Sequence, residues 1–268
     1  MDSLKLASGW EIPVLGLGTW DLKGEDCKRA IKDALSLGYT HFDTAWMYEN
    51  QKAIGEALKE TSVDRAGLFI TSKVWRSHLH YEGVLEQCDG SLRDLQTPYL
   101  DLFLVHWPND AVPMKETFRA LKRIVAEGKA RSIGVSNFTV AHMKEALRAS
   151  EVPVSLNQIK YHPGAEDRDV LRWCSDNGVV VTAYSPLGRG GLLKKAPLTE
   201  IGERHGKTSA QVSLRWLVEK GLVVIPKASS KDHMRENTDL AGWTLSPDEV
   251  ERISSMSEGG WLRRVLRP

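Results

Sequence analysis

Short runs of apolar and β-branched residues alternate along this chain with longer stretches whose apolar positions recur every three or four residues. The short runs fall at 14–18, 41–43, 69–73, 100–106, 131–136, 154–159, 179–184 and 222–226. Between them, Cys27, Ala30, Ile31, Ala34 and Leu35 share one helical face, as do Met114, Phe118, Leu121 and Val125, and Val170, Leu171 and Cys174. Thr208 to Gln211 reads as a capping box. Ser246, Pro247 and Glu249 mark a second helix start with proline at the first helical position. Gly38 and Gly178 stand just past helices, where a left-handed residue is wanted. Eight strands alternating with helices call for a parallel sheet with right-handed crossovers. Eight such units in one chain predict an α/β fold, a closed (β/α)8 TIM barrel, with residues 1–268 as one domain. The opening segment differs: two short alternating runs within 4–12 flank Ser8 and Gly9. This predicts an N-terminal β-hairpin closing the barrel floor.

Composition narrows the function classes. The 268 residues are 41% hydrophobic and 26% charged with formal net charge +1, so a disordered chain is excluded. Near-neutrality leaves no broad positive field, so no nucleic-acid or membrane partner is expected. The first residues, Met1 to Lys5, lack the basic-then-apolar pattern of a signal peptide. Cys27, Cys88 and Cys174 are odd in number, far apart and form no CxxC. That suits a cytoplasmic protein without a metal site.

In such a barrel the active site is built where strands end. The second run ends at Asp43, with Tyr48 in the loop beyond; the third ends at Lys73; the fourth delivers His106. Singly, each has an ordinary structural reading: a turn cap, a solvated lysine, a packed tyrosine, a hydrogen-bonded core histidine. Together they suit carbonyl reduction. Asp43 would hold Lys73 charged, and Lys73 would lower a phenol pKa that starts near 10, readying Tyr48 to donate a proton. His106 would donate a hydrogen bond to the same substrate oxygen.

Reduction needs a hydride donor, so a nicotinamide site is expected. Ser136, Asn137 and Gln158 have the hydroxyl and amides to hold a carboxamide, and Tyr184 offers a flat face. The Gly-rich loop 185–191 can approach a pyrophosphate, and the eighth run leads through Lys227, Ser229 and Ser230 into a helix start that favours anions. The segment Gly16, Gly18, Asp21 lacks the third glycine of GxGxxG, so a dinucleotide would not bind by the Rossmann fingerprint.

Together these residues resemble the aldo-keto reductase superfamily over nearly the whole chain. The motifs are Gly16-Leu-Gly-Thr-Trp20, Asp43-Thr-Ala-Trp-Met-Tyr48-Glu-Asn50, Thr71-Ser-Lys73, Asp101-Leu-Phe-Leu-Val-His106-Trp107-Pro108, Gly134-Val-Ser-Asn-Phe138, Asn157-Gln158, Ala183-Tyr-Ser-Pro-Leu187 and Ile225-Pro-Lys227. The resemblance is to short, microbial-type members of the 2,5-diketogluconate and glyoxal reductase kind. It implies reversible NADP-dependent reduction of aldehydes and ketones, with Asp43, Tyr48, Lys73 and His106 as the catalytic tetrad and Tyr48 as general acid. It places Gly18, Thr19, Trp20 and Asp43 beside the cofactor, Ser136, Asn137 and Gln158 on its carboxamide, and Tyr184 on its ring. Ser185 and Leu187 would approach the pyrophosphate. Lys227, Ala228, Ser229, Ser230 and His233 would surround the 2′-phosphate, and Glu236 and Asn237 would meet the adenine.

Trp20, Met47, Trp75, His106 and Trp107 would line an apolar pocket for a small carbonyl substrate (an aldehyde, ketone, dicarbonyl or sugar). Three positions depart from the family pattern: Ala228 stands where serine is common, His233 where arginine is common, and Gln51 where glutamate is common. NADP(H) is therefore expected as the preferred cofactor, with a narrow margin that leaves NAD(H) usable. The short segment after His106 and the short tail to Pro268 suggest an open site. No obligate protein partner is expected. The alternative is a nucleotide-binding, redox-sensing regulatory subunit with weak catalysis. A (β/α)8 lyase or isomerase lacks a metal cluster or, apart from Lys73, a Schiff-base lysine.

Overall fold

The computed structural model describes residues 2–256. Its first half runs β1 (Ser3–Lys5), β2 (Glu11–Pro13), β3 (Leu17–Gly18), α1 (Gly24–Ser36), β4 (His41–Asp43), α2 (Gln51–Thr61), β5 (Phe69–Val74), α3 (Tyr81–Leu95), β6 (Leu100–Val105), α4 (Met114–Ala126) and β7 (Ala130–Ser136). It continues through α5 (Val140–Ala149), β8 (Val154–Lys160), α6 (Arg168–Asp176), β9 (Val180–Tyr184), α7 (Ala196–His205), α8 (Ser209–Glu219), β10 (Val223–Ile225), α9 (Lys231–Thr238) and α10 (Pro247–Ser254). Strands β3 to β10 pair in parallel in chain order. The two ends of the sheet then meet: Gly16 N–H donates to Val224 O (2.9 Å), Val224 N–H to Val14 O (2.8 Å) and Gly18 N–H to Pro226 O (3.2 Å). The expected (β/α)8 barrel is thus present, with every strand run in its place.

The first run was expected over 14–18, yet regular pairing covers only Leu17–Gly18, with an isolated bridge from Leu15 to Val224. Close approach explains the glycines at this seam. A Cβ on Gly18 would stand 2.6 Å from the Ile225 carbonyl oxygen, and one on Gly16 would stand 2.5 Å from His41 Nδ1. Neither could be accommodated without moving a strand or a buried ring.

The hairpin forms as expected: β1 and β2 pair antiparallel with Leu4 opposite Ile12. Its Leu6 and Ile12 are buried in a cluster with Phe69, Leu102, Leu104, Leu156 and Val223. Those five come from four barrel strands, β5, β6, β8 and β10, so the hairpin is a plug for the barrel interior. Outside the sheet, each helix buries one stripe; in α1 it is Cys27, Ala30, Ile31 and Ala34. The capping boxes at Thr208/Gln211 and Ser246/Glu249 are both formed, and a third joins Thr139 to His142. Gly38 and Gly178 take positive φ (84° and 68°) after their helices. Between β9 and β10 the chain makes two helices, α7 and α8, and α10 is clipped onto α7 by His205 Nε2 to Glu249 (2.9 Å) and by Arg252 to Glu200. The tail beyond 256 lies outside the described residues.

Cys27, Cys88 and Cys174 are free and buried, and burial pushes their thiols up to about 11, 12 and 11. Among the described residues no helix is long and apolar enough to cross a membrane.

Two tests follow from the seam. Gly18→Ala should destabilise the fold by about 1–3 kcal/mol through overpacking against Ile225, read as a lower urea midpoint. His41, fully enclosed in β4, has its imidazole pushed down to about 4 by burial, against the opposing pull of Asp43. An unfolded histidine takes up its proton near 6.5, so its neutral burial stabilises fully above that pH. That contribution, on the order of 3 kcal/mol, should be lost as pH falls from about 6.5 towards 4. Urea midpoints at pH 7 and pH 4.5 should differ accordingly, and less so in His41→Gln.

Candidate active site

Successive residues of a strand face opposite sides, so position along the barrel decides what meets at its mouth. Asp43 pairs with Thr71 across β4 and β5, which sets Lys73 two residues further along the same face. Lys73 has no exposed surface. Its ammonium donates to Asp43 Oδ1 (2.6 Å), to the Thr44 carbonyl (2.9 Å) and to the Tyr48 hydroxyl (3.3 Å). From β8, on the far side of the barrel, Gln158 Nε2 donates to Asp43 Oδ2 at 2.7 Å. Both carboxylate oxygens of Asp43 are therefore engaged, each from a different wall.

Tyr48 is carried by a single 3-10 turn, Trp46–Tyr48, after β4. That turn is braced by Lys23, whose ammonium donates to the Tyr48 carbonyl (2.7 Å). Asn50, buried, donates to the Thr19 carbonyl (2.8 Å) and the Leu22 carbonyl (3.1 Å) and accepts from Thr44 Oγ1 (2.7 Å). Asn50 thus ties the first mouth loop to the second. Sequence reasoning gave it no role; its only signal was its place at the end of the Asp43 to Asn50 motif. His106 follows β6 and is nearly buried, with the rings of Tyr48 (5.6 Å) and Trp75 (5.1 Å) edge-on to it. Its Nδ1 is buried without a hydrogen-bond partner. The four expected catalytic side chains therefore converge.

Their electrostatics correct one expectation. Burial alone would pull the Lys73 ammonium down, but Asp43 and Tyr48 outweigh it and hold it above the ordinary lysine value. The Tyr48 phenol was expected to be lowered by Lys73. Instead burial dominates and raises it, with Lys73 pulling against that and Asp43 adding to it. A buried phenolate is costly even beside an ammonium, because the same ammonium is shared with a full carboxylate. Tyr48 is thereby kept protonated at neutral pH. Burial and Lys73 push His106 down to about 3, so its ring is neutral at working pH.

The expected cofactor residues lie along one side of the mouth. Ser136 Oγ donates to the Gln158 carbonyl (2.8 Å), and Asn137, at φ 63°, donates through Nδ2 to the His106 carbonyl (3.0 Å). Tyr184 donates its hydroxyl to Asn137 Oδ1 (2.9 Å) and is part-exposed. Asn137 is thus an orienting group with its amide already committed. Ser185 takes φ 50° and starts the loop through Leu187 to Gly191. Thr19 is buried and donates to the Asp43 carbonyl (2.9 Å); Gly18 is held at the seam. Past β10, Lys227, Ser229, Ser230 and His233 are exposed, and Ser230 caps α9 by accepting from His233 N–H (3.3 Å). Ala228 is buried, as is Asn237, which leaves Glu236 as the partly exposed member of the expected adenine pair. An amide side chain, a presented aromatic face, a glycine loop and an exposed helix start fit the carboxamide, ring and phosphates of a nicotinamide dinucleotide.

Around the mouth, Trp20 (52% exposed), Met47 (39%) and Trp107 (40%) form an open apolar rim with Trp75. Trp46 (39%) belongs to it too, tilted over His78 at 5.3 Å, and sequence reasoning missed it. Its signal was the unusual pair of large side chains, Trp46 and Met47, ahead of Tyr48. Gln51 is buried and donates to Ser72 Oγ (2.7 Å), a neutral contact behind Lys73 where glutamate would bring charge.

A parallel barrel whose strand ends gather a lysine, a carboxylate, a tyrosine and a histidine has the layout of a barrel-type oxidoreductase. The model of the Aldo/keto reductase family matches residues 14–258, and the chain belongs to that family. It is 40% identical to glyoxal reductase of Bacillus subtilis (strain 168), over 96% of this chain and 93% of that protein. It is 36% identical to 9,11-endoperoxide prostaglandin H2 reductase of Trypanosoma cruzi (strain CL Brener), over 92% and 88%. Among solved structures, an aldo-keto reductase from a Medee basin deep-sea metagenome library superposes with a TM-score of 0.93 at 35% identity, covering 96% of each chain.

Removing the central cation tests the network. Lys73→Met should cost about 3–5 kcal/mol, because Asp43 is left buried and unpaired. Urea unfolding should show the loss, and Asp43→Asn in the same chain should recover part of it.

Proposed function

We propose that the protein reduces aldehydes and ketones to alcohols, reversibly, with NADPH preferred over NADH and Tyr48 as the general acid. The observation that carries this reading is the Lys73 ammonium, fixed by Asp43 at 2.6 Å and within 3.3 Å of the Tyr48 hydroxyl. Gln158 and Ser136 would hold the carboxamide, with Asn137 orienting Tyr184 as the stacking face. Lys227 would meet the 2′-phosphate, with Ser229 and Ser230 beside it and Glu236 nearer the adenine. When bound, the nicotinamide supplies the hydride.

The chain's own residues supply the rest. Tyr48 holds its proton at neutral pH and gives it to the oxygen of the polarised carbonyl. Lys73 stabilises the phenolate left behind, and Asp43 keeps Lys73 charged and aimed. Neutral His106 donates a hydrogen bond to the same oxygen without competing as an acid. The tryptophan and methionine rim excludes water from one side and favours small apolar or aromatic carbonyls. The named activity of the glyoxal reductase supports carbonyl chemistry, and that of the endoperoxide reductase supports reductive chemistry more broadly. Buried, unpaired cysteines suit work in a reducing cytoplasm.

Tyr48→Phe should lower aldehyde-dependent NADPH oxidation by roughly 10²–10⁴ while NADPH still binds. A variant that kept most of its rate would remove Tyr48 from the role, and silence of the wild type across an aldehyde panel with tight cofactor binding would favour a sensor. Because His106 is neutral down to about 3, kcat should show no acid limb near 6.5. A limb there that vanished in His106→Gln would overturn the neutral-donor role.

A further inference from the structure

The cations around the expected 2′-phosphate position are already paired. Lys227 Nζ lies 3.8 Å from Asp21 Oδ2, Lys231 Nζ 3.7 Å from Asp33 Oδ1, and Arg235 Nη1 2.8 Å from Asp232 Oδ1. These pairs are not equivalent. Asp232 and Arg235 are neighbours on α9, and Asp33 comes from α1. Asp21 reaches Lys227 across the barrel seam, from the loop after β3 to the loop after β10. The seam is fixed by Gly18 N–H donating to Pro226 O at 3.2 Å, so the fold itself sets these two charges side by side.

Both partners remain open to ligand, with side chains 43% (Lys227) and 74% (Asp21) exposed. We infer that Asp21 is a specificity-determining residue whose carboxylate competes with a ligand's 2′-phosphate for Lys227. This rests on the reading that Lys227 meets that phosphate. A phosphorylated dinucleotide must take Lys227 away from Asp21 and bring its own negative charge near the displaced carboxylate. A dinucleotide without the phosphate leaves the pair intact. Asp21 therefore weakens NADPH and spares NADH, narrowing the discrimination between them. The pyrophosphate common to both ligands feels Asp21 alike and cancels in the ratio.

Asp21 takes φ 64°, a left-handed conformation that asparagine also tolerates, so Asp21→Asn removes the charge while keeping the turn. The experiment titrates NADPH and NADH separately into wild type, Asp21→Asn, Lys227→Met and the double variant, following tryptophan fluorescence and not turnover. Asp21→Asn should improve the NADPH to NADH affinity ratio by about two- to fivefold, the scale of an exposed ion pair, with the gain shrinking as salt rises. In the Lys227→Met background Asp21→Asn should move the ratio clearly less, because only direct repulsion of the phosphate is then relieved. A ratio unmoved by Asp21→Asn, or moved equally without Lys227, overturns the inference while leaving the cofactor reading in place. If Lys227→Met weakens NADPH and NADH equally, the cofactor reading fails and takes the inference with it.

Discussion

An ammonium with no exposed surface stays charged only if the protein replaces its water with partners. Lys73 has three: one carboxylate oxygen, one backbone carbonyl and one phenol. Nearly everything at the mouth can be traced to that requirement. The carboxylate must come from the neighbouring strand at the matching height, which the β4–β5 register supplies. The carbonyl must turn inward just past β4, and the Thr44 N–H bond to Thr71 O keeps it there. The phenol must come back over the top on a tight turn, and Lys23 and Asn50 brace that turn. Breaking a buried pair is far more costly than never having built it, so these supports stand or fall together.

Closure of the barrel is the second condition, and it is met with almost no spare room. Gly16 and Gly18 let the first strand lie against His41 and Ile225 at distances no side chain allows. The same closeness brings the loop after β3 against the loop after β10, so the rim that carries exposed Trp20 also carries a charge that reaches Lys227. Barrel closure and the Asp21–Lys227 pairing thus meet at one seam. The opposite wall contributes through Gln158, whose bond to Asp43 spans the barrel and joins the group expected on the carboxamide to the proton-holding network.

Much of this was legible in the chain. Strand runs ending in Asp43, Lys73, His106, Gln158 and Tyr184 could be read because a strand end in a barrel is a fixed place, and alternation then decides which residues face inward. The plug was legible from the run on each side of Ser8 and Gly9. Other features were not, for a common reason: they depend on distance between segments far apart in sequence. The Asp43–Gln158 and Asp21–Lys227 contacts need the closed circle before they exist. The raised Tyr48 phenol needs the extent of burial, which pairwise reasoning about Lys73 does not contain. The exposure of Trp46 appears only once the turn that carries Tyr48 is folded.

The burial of the thiols has a consequence for durability. Carbonyl compounds are electrophiles, and an enzyme that concentrates them exposes its own nucleophiles to adduct formation. Thiols react as thiolates, and all three here are kept protonated by burial, with pKa values of about 11, 12 and 11. Lys73 is walled off at the base of the mouth with no surface of its own. The core packing that closes the barrel thus also keeps these three thiols and this amine out of reach of such electrophiles.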